Sequence, residues 1–193
     1  MSHAGLDTPL PRRILLHGVT GTGKTTTANR LSELAGIPWH SADDEIGWMP
    51  AADAPWTNRA PEEMRAIAAG ICAQDDWILD SAYGHFTDLV LARAELVVGL
   101  DYSRLLTFLR LLRRTIHRIR SHESVCNGNV ETLRQALSRD SILIWHLTSF
   151  RGKRARLHAW AADPSAPPVL ILKSPAELES WLGRIALAAT EHS

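Results

Sequence analysis

Eight consecutive residues, Gly18-Val19-Thr20-Gly21-Thr22-Gly23-Lys24-Thr25, constrain this chain more than any other stretch. Before them Arg12 to His17, with the apolar run Ile14-Leu15-Leu16, reads as a short buried strand. After them helix propensity holds from Lys24 through Leu34, with Ala28, Leu31, Leu34 and Ala35 at core spacing. G-x-x-x-x-G-K-T between a strand and a helix is the pattern of a loop that cradles phosphates. Glycines let the backbone approach an anion that side chains would exclude. Successive N–H groups then converge on phosphate oxygens, aided by the positive end of the following helix. Lys24 is expected to bridge the β- and γ-phosphates of a nucleoside triphosphate, and Thr25 to set its hydroxyl on magnesium. Gly18, Thr20, Gly21, Thr22, Gly23 and Thr26 complete the expected nucleotide-binding set.

Further strands end in acids. Trp77-Ile78-Leu79 and Leu96 to Leu100 are apolar runs closed by Asp80 and Asp101, the pattern of buried parallel strands. Asp80 is the better candidate for the magnesium carboxylate, because Ser103 and Arg104 make Asp101 look like the start of a helix. A weaker second strand is expected over Trp39 to Ala42, followed by Asp43 and Asp44. The carboxyl ends of strands open onto the ligand crevice of an α/β sheet, so Asp43 is the candidate to orient and deprotonate a substrate hydroxyl, or to hydrogen-bond a substrate. Asp44 and Glu45 fit exposed turn positions equally well.

Gly47 to Ala60, with Pro50, Pro55, Trp48 and Trp56, reads as a loop. Pro61-Glu62-Glu63 fits the first turn of a helix. From Ser103 to about Arg120, Leu105, Phe108, Leu109, Leu112, Ile116 and Ile119 line one face at helical spacing, the pattern of a helix laid on a core. A break follows over Ser121 to Val130, then a helical stretch from Glu131 into the 150s, a strand over Val169 to Leu172 and a helix over Pro175 to Ala188. Strands alternating with helices predict an α/β three-layer sandwich on a five-stranded parallel sheet. The 193 residues fit one such domain, with a small helical lid over roughly residues 118–155.

Arg113, Arg114, Arg118 and Arg120 lead into that lid, and Arg151, Lys153, Arg154 and Arg156 are expected past its second helix. Arginines closing over a transferring phosphoryl group stabilise its charge, so Arg114 is a candidate for the nucleotide and Arg118 for catalysis, with Lys24 and Asp43.

Composition excludes several alternatives. Net charge is +0, so no global field draws the chain to nucleic acid or acidic membranes. Two cysteines, Cys72 and Cys126, make neither a disulfide framework nor a zinc pattern, and the nine histidines show no metal-ligand pair. Met1 to Arg13 lacks the apolar run of a signal peptide, and no stretch is long enough to span a bilayer; the cytosol is the expected compartment.

Taken in order, the loop, the acid after strand two, Trp77-Ile78-Leu79-Asp80-Ser81-Ala82-Tyr83 and Leu100-Asp101 resemble the adenylate-kinase-like small-molecule kinases. More narrowly they resemble the bacterial "topology modulation" proteins, through Trp48 and Trp56, the arginines from Arg110 to Arg118, Cys126-Asn127-Gly128-Asn129 and Trp145. The resemblance implies an ATP- and magnesium-dependent kinase of a small nucleoside, nucleotide or metabolite acceptor. Ser81 stands where that family has glycine, and no Pro-Arg pair follows it to grip a nucleoside monophosphate. The other function considered is a nucleotide-binding regulatory or nucleic-acid-associated protein with little transferase activity. The local basic patch is its one support, since no reading helix or aromatic-basic interleaving accompanies it. Acceptor identity, base preference and oligomeric state are not encoded in any readable motif.

Overall fold

A computed structural model of the chain describes residues 10–121, 124–130, 132 and 141–191. Five parallel strands form the central sheet: β1 (Arg13–Gly18), β2 (Trp39–His40), β3 (Trp77–Leu79), β4 (Leu96–Leu100) and, last in the chain, β7 (Val169–Leu172). Their order is β2-β3-β1-β4-β7, which sets β1 in the middle. Burial on both faces makes β1 apolar from Ile14 to Leu16, and alternation sends its side chains to two cores. Ile14 and Leu16 join α1 (Lys24–Ala35) and the final helix α6 (Pro175–Glu191) through Ala28, Leu31, Trp181 and Ile185. Leu15 faces the other way, toward α2 (Pro61–Cys72), α3 (Thr87–Arg93) and α5 (Ile142–Ala162), through Met64, Ala68, Val90 and Leu157. The result is the three-layer α/β sandwich on a five-stranded parallel sheet.

Several elements differ from the sequence expectation. Strand β2 stops at His40, because Ser41 caps a π-helical turn over Ala42–Gly47: its Oγ accepts the Asp44 N–H at 3.1 Å. Asp43, Asp44 and Glu45 therefore sit in helical turn geometry rather than an open loop. Helix α3 fills the link between β3 and β4, where no helix was predicted. The break after α4 (Arg104–Ser121) carries an antiparallel hairpin, β5 (Ser124–Val125) with β6 (Asn129–Val130). Three successive residues at its tip, Cys126, Asn127 and Gly128, have φ of 46°, 61° and 94°. Residue 131 and residues 133–140, where the next helix was expected to start, lie outside the described residues; the helix observed is α5. Arg151, Lys153, Arg154 and Arg156 lie inside α5, not past it, because the helix runs on to Ala162.

The largest correction concerns α4. Its buried residues are Thr107, Leu111 and Thr115, while Leu105 is 69% exposed, Leu109 52% and Ile116 42%. Of the apolar stripe read from the sequence, these three lie outside, while Phe108, Leu112 and Ile119 are half-buried. The reason is local: the row Thr107-Leu111 packs under the phosphate loop. A Cβ at Gly21, which has φ of 88°, would stand 2.3 Å from the Thr107 carbonyl oxygen and 3.2 Å from Leu111 Cβ. Only glycine tolerates both that angle and that approach. No described helix is long and apolar enough to cross a membrane.

Candidate active site

The site forms where β1, β2 and β3 end. After β1 the chain turns through Thr20 to Gly23, with Thr22 Oγ1 donating to the Val19 carbonyl at 2.9 Å. Helix α1 begins at Lys24 behind Gly23, which makes no side-chain cap. The first N–H groups of α1 therefore receive no capping oxygen from Gly23, which favours an anion at that helix end. Lys24 Nζ folds back to donate to the Val19 carbonyl at 3.2 Å. Its pKa is lowered to about 8, chiefly by burial and next by the neighbouring Lys153 charge, while Asp80 and Asp43 oppose the drop. Thr25 and Thr26, the next two residues, are exposed.

Across the crevice, the buried Asp80 ends β3. One oxygen accepts the Thr25 hydroxyl at 2.6 Å and the other the Ala42 N–H at 2.9 Å. Burial raises its pKa, against the lowering effect of those two donors. Thr25 and Asp80, expected from sequence to share a magnesium ion, are thus brought together. Among the described residues no cluster of three or more His, Cys, Asp or Glu forms a dedicated metal site. A hydroxyl with one carboxylate suits magnesium, which takes few protein ligands and completes its shell with phosphates and water.

Asp43 lies one residue past Ala42. Its Oδ1 accepts a hydrogen bond from the Tyr83 hydroxyl. Asp44 and Glu45 have different tasks. Asp44 Oδ1 accepts the Asn127 N–H at 2.8 Å from the β5–β6 hairpin, and Glu45 accepts the Ser41 N–H at 2.9 Å and meets His40 Nδ1 at 2.8 Å. The hairpin also grips the Gly47 to Ala60 loop: Asn127 Nδ2 donates to the Trp48 carbonyl at 3.0 Å and the Trp56 N–H donates to Asn129 Oδ1 at 2.7 Å. Trp48 and Trp56 meet edge to face at 5.6 Å.

The arginine expectations divide. Arg114 is close enough for its charge to depress the Lys24 pKa. Arg118 follows one turn later in α4, about 6 Å farther along the axis. Of the cations on α5, Lys153 is close enough to the loop for its charge to depress the Lys24 pKa. The pKa of Lys153 itself is lowered by burial first, with Asp43 opposing, and it borders a small cavity with Gly18, Val19, Asp101 and Arg154. Its carbonyl accepts from His17 Nε2 at 3.0 Å; burial lowers the His17 pKa to about 4, so the ring is neutral. Arg154 instead pairs with Asp101 at 2.9 Å, where His158 also approaches at 3.0 Å. Asp101 therefore fastens α5 to the end of β4 and is not part of the Thr25–Asp80 pair. Sequence reasoning did not single out Lys153 or Tyr83. Lys153 was one of four cations in a run, and Tyr83 lies in another strand-end loop from the acid it touches.

No protein-family model matches the chain, and no curated protein matches its sequence. Solved structures do share its fold. A gluconokinase from Sinorhizobium meliloti 1021 superposes with a TM-score of 0.52 at 17% identity, over 96% of this chain and 99% of that one. Shikimate kinase from Bacteroides thetaiotaomicron gives 0.53 at 17% identity, over 92% and 97%. A sugar kinase from Janibacter sp. HTCC2649 gives 0.50 at 18% identity, over 93% and 98%. The chain shares its fold with these three kinases.

Proposed function

We propose that the chain is an ATP-dependent kinase that moves the γ-phosphate to a small nucleoside, nucleotide or metabolite acceptor. The observation that carries this reading is the meeting of Thr25 with Asp80 at 2.6 Å beside the Lys24 loop, with Asp43 at the same crevice. Donor-phosphate groups and acceptor-side groups thus share one opening. The names of the structural neighbours, all kinases of small molecules, support the same class. The narrower likeness to topology modulation proteins rests on the sequence motifs alone.

In this reading the loop backbone and Lys24 hold the β- and γ-phosphates, and Arg114 and Lys153 add positive charge where the phosphoryl group passes. Thr25 and Asp80 would hold magnesium, which neutralises charge between those phosphates when bound. Asp43 faces the acceptor, and Arg118 reaches the triphosphate when the lid closes. The chain works as one domain in the cytosol, with a lid over residues 118–155 to which the β5–β6 hairpin belongs.

The test is ADP release from ATP and Mg2+, alone and with nucleosides, nucleoside monophosphates, gluconate and shikimate. One acceptor should stimulate release by at least about tenfold, and Lys24→Ala should abolish it. Stimulation by nucleic acid alone would replace this reading with a nucleic-acid-associated one. Unchanged triphosphate binding by Lys24→Ala would remove the loop from the site.

A further inference from the structure

Asp43 sits at the open end of the site on an exposed turn, where a carboxylate is ordinarily free to rotate. Here it is not. The Tyr83 hydroxyl donates to its Oδ1, and Tyr83 itself is held on several sides. Its ring lies so close to Gly47 that a Cβ there would stand 2.4 Å from the hydroxyl oxygen and 2.6 Å from the ring. Phe86 packs beside it with ring centroids 5.6 Å apart, and the Thr87 hydroxyl donates to the Tyr83 carbonyl at 2.7 Å. Gly47 and Asp43 belong to the same π-helical turn, so one element supplies both the seat for the ring and the acceptor for its hydroxyl.

Resting on the kinase reading above, we infer that Tyr83 is a positioning residue for phosphoryl transfer: its hydroxyl fixes one oxygen of Asp43 and leaves the other to take the proton of an acceptor alcohol. Burial, then the Asp43 charge, raise the Tyr83 pKa, so the phenol keeps its proton and acts as donor throughout. A bond forms between the acceptor oxygen and the γ-phosphorus as the bond to the β,γ-bridging oxygen breaks. That electron pair leaves with ADP, and the alcohol proton passes to Asp43 Oδ2. The arrangement also selects the acceptor class. A phosphate acceptor has no proton that needs removal and would be repelled by a carboxylate pinned at its side of the site, whereas a neutral hydroxyl needs such a base. The inferred substrate is therefore a small molecule reacting through an alcohol.

Steady-state kinetics on the full chain tests this with gluconate, shikimate, ribose and glycerol as alcohols, and AMP and CMP as phosphate acceptors. Among these, alcohols should support transfer and the monophosphates should not. Tyr83→Phe keeps the ring against Gly47 and Phe86, so the fold is retained. Its kcat should fall about tenfold with the KM for the alcohol within about twofold. In an Asp43→Asn background, Tyr83→Phe should cost nothing further, since the group it orients is gone. Gly47→Ala, which displaces the ring, should lower kcat in the same direction. Wild-type kcat in Tyr83→Phe overturns the inference, and so does a raised KM with kcat unchanged, or transfer to monophosphates alone. Should no acceptor raise ADP release, the kinase reading itself fails and carries this inference with it.

Discussion

The phosphate loop and helix α4 lie in contact, yet they are built on opposite terms. The loop is shaped by main chain: Gly21 and Gly23 have φ of 88° and 90°, Thr22 closes on Val19, and the start of α1 is left without a side-chain cap. Helix α4 meets it with the Thr107 carbonyl and the Leu111 side chain, and the side chains it buries are not the ones an amphipathic pattern selects. Thr107 and Thr115 are buried with Leu111, Thr107 bonding to His146 Nε2 at 2.9 Å, while leucines and an isoleucine lie outside. A helix beneath a phosphate loop must let backbone come within contact distance, which favours a narrow row of small and medium side chains. Hydrophobic periodicity reports that a helix has an apolar side. Which side meets the fold depends on the shape it packs against.

Stability measurements break or sharpen this contrast most strongly. Leu111→Ala should destabilise the protein by about 2–5 kcal/mol in urea unfolding, because it opens a space beneath the loop. Leu109→Ala, on the outward face, should change stability by no more than about 0.5 kcal/mol. Equal effects would restore the apolar stripe as the packing face.

Next in size is Gly21→Ala. Strain from the positive φ and the overlap with the Thr107 carbonyl should weaken ATP binding on the order of 100-fold, or about 2.7 kcal/mol by titration calorimetry. Wild-type affinity would mean that the loop does not depend on its close approach to α4.

The smallest expected difference separates two neighbours on α5. Lys153→Ala should lower kcat about tenfold and leave the melting temperature nearly unchanged, since it removes a cation from the phosphate side. Arg154→Ala should do the reverse: with buried Asp101 left to His158, stability should fall by about 1–2 kcal/mol while kcat stays within about twofold. A matching loss of kcat in both would mean that α5 acts only as a scaffold.

Much of the central sheet was legible because buried parallel strands read as unbroken apolar runs: Ile14 to Leu16, Trp77 to Leu79 and Leu96 to Leu100 each announce themselves. The short helix Thr87–Arg93 did not, since seven residues hold too few turns for a periodic signal. The turn Ala42–Gly47 was equally hidden, its acids fitting a loop as well as a helical turn.

Within the site, the sequence alone specified the loop from Gly18 to Thr25 and nominated Asp80. Backbone conformations that only glycine reaches, and a carboxylate at the end of an apolar strand, are written in adjacent residues. Tertiary structure alone decided the rest: that Thr25 reaches Asp80 across 55 positions, that Tyr83 seats on Gly47 to hold Asp43, and that Lys153 acts on Lys24 while Arg154 pairs with Asp101. Those pairings are set by the order of strands in the sheet and by the side of α5 turned inward, and neither quantity has a signature along the chain.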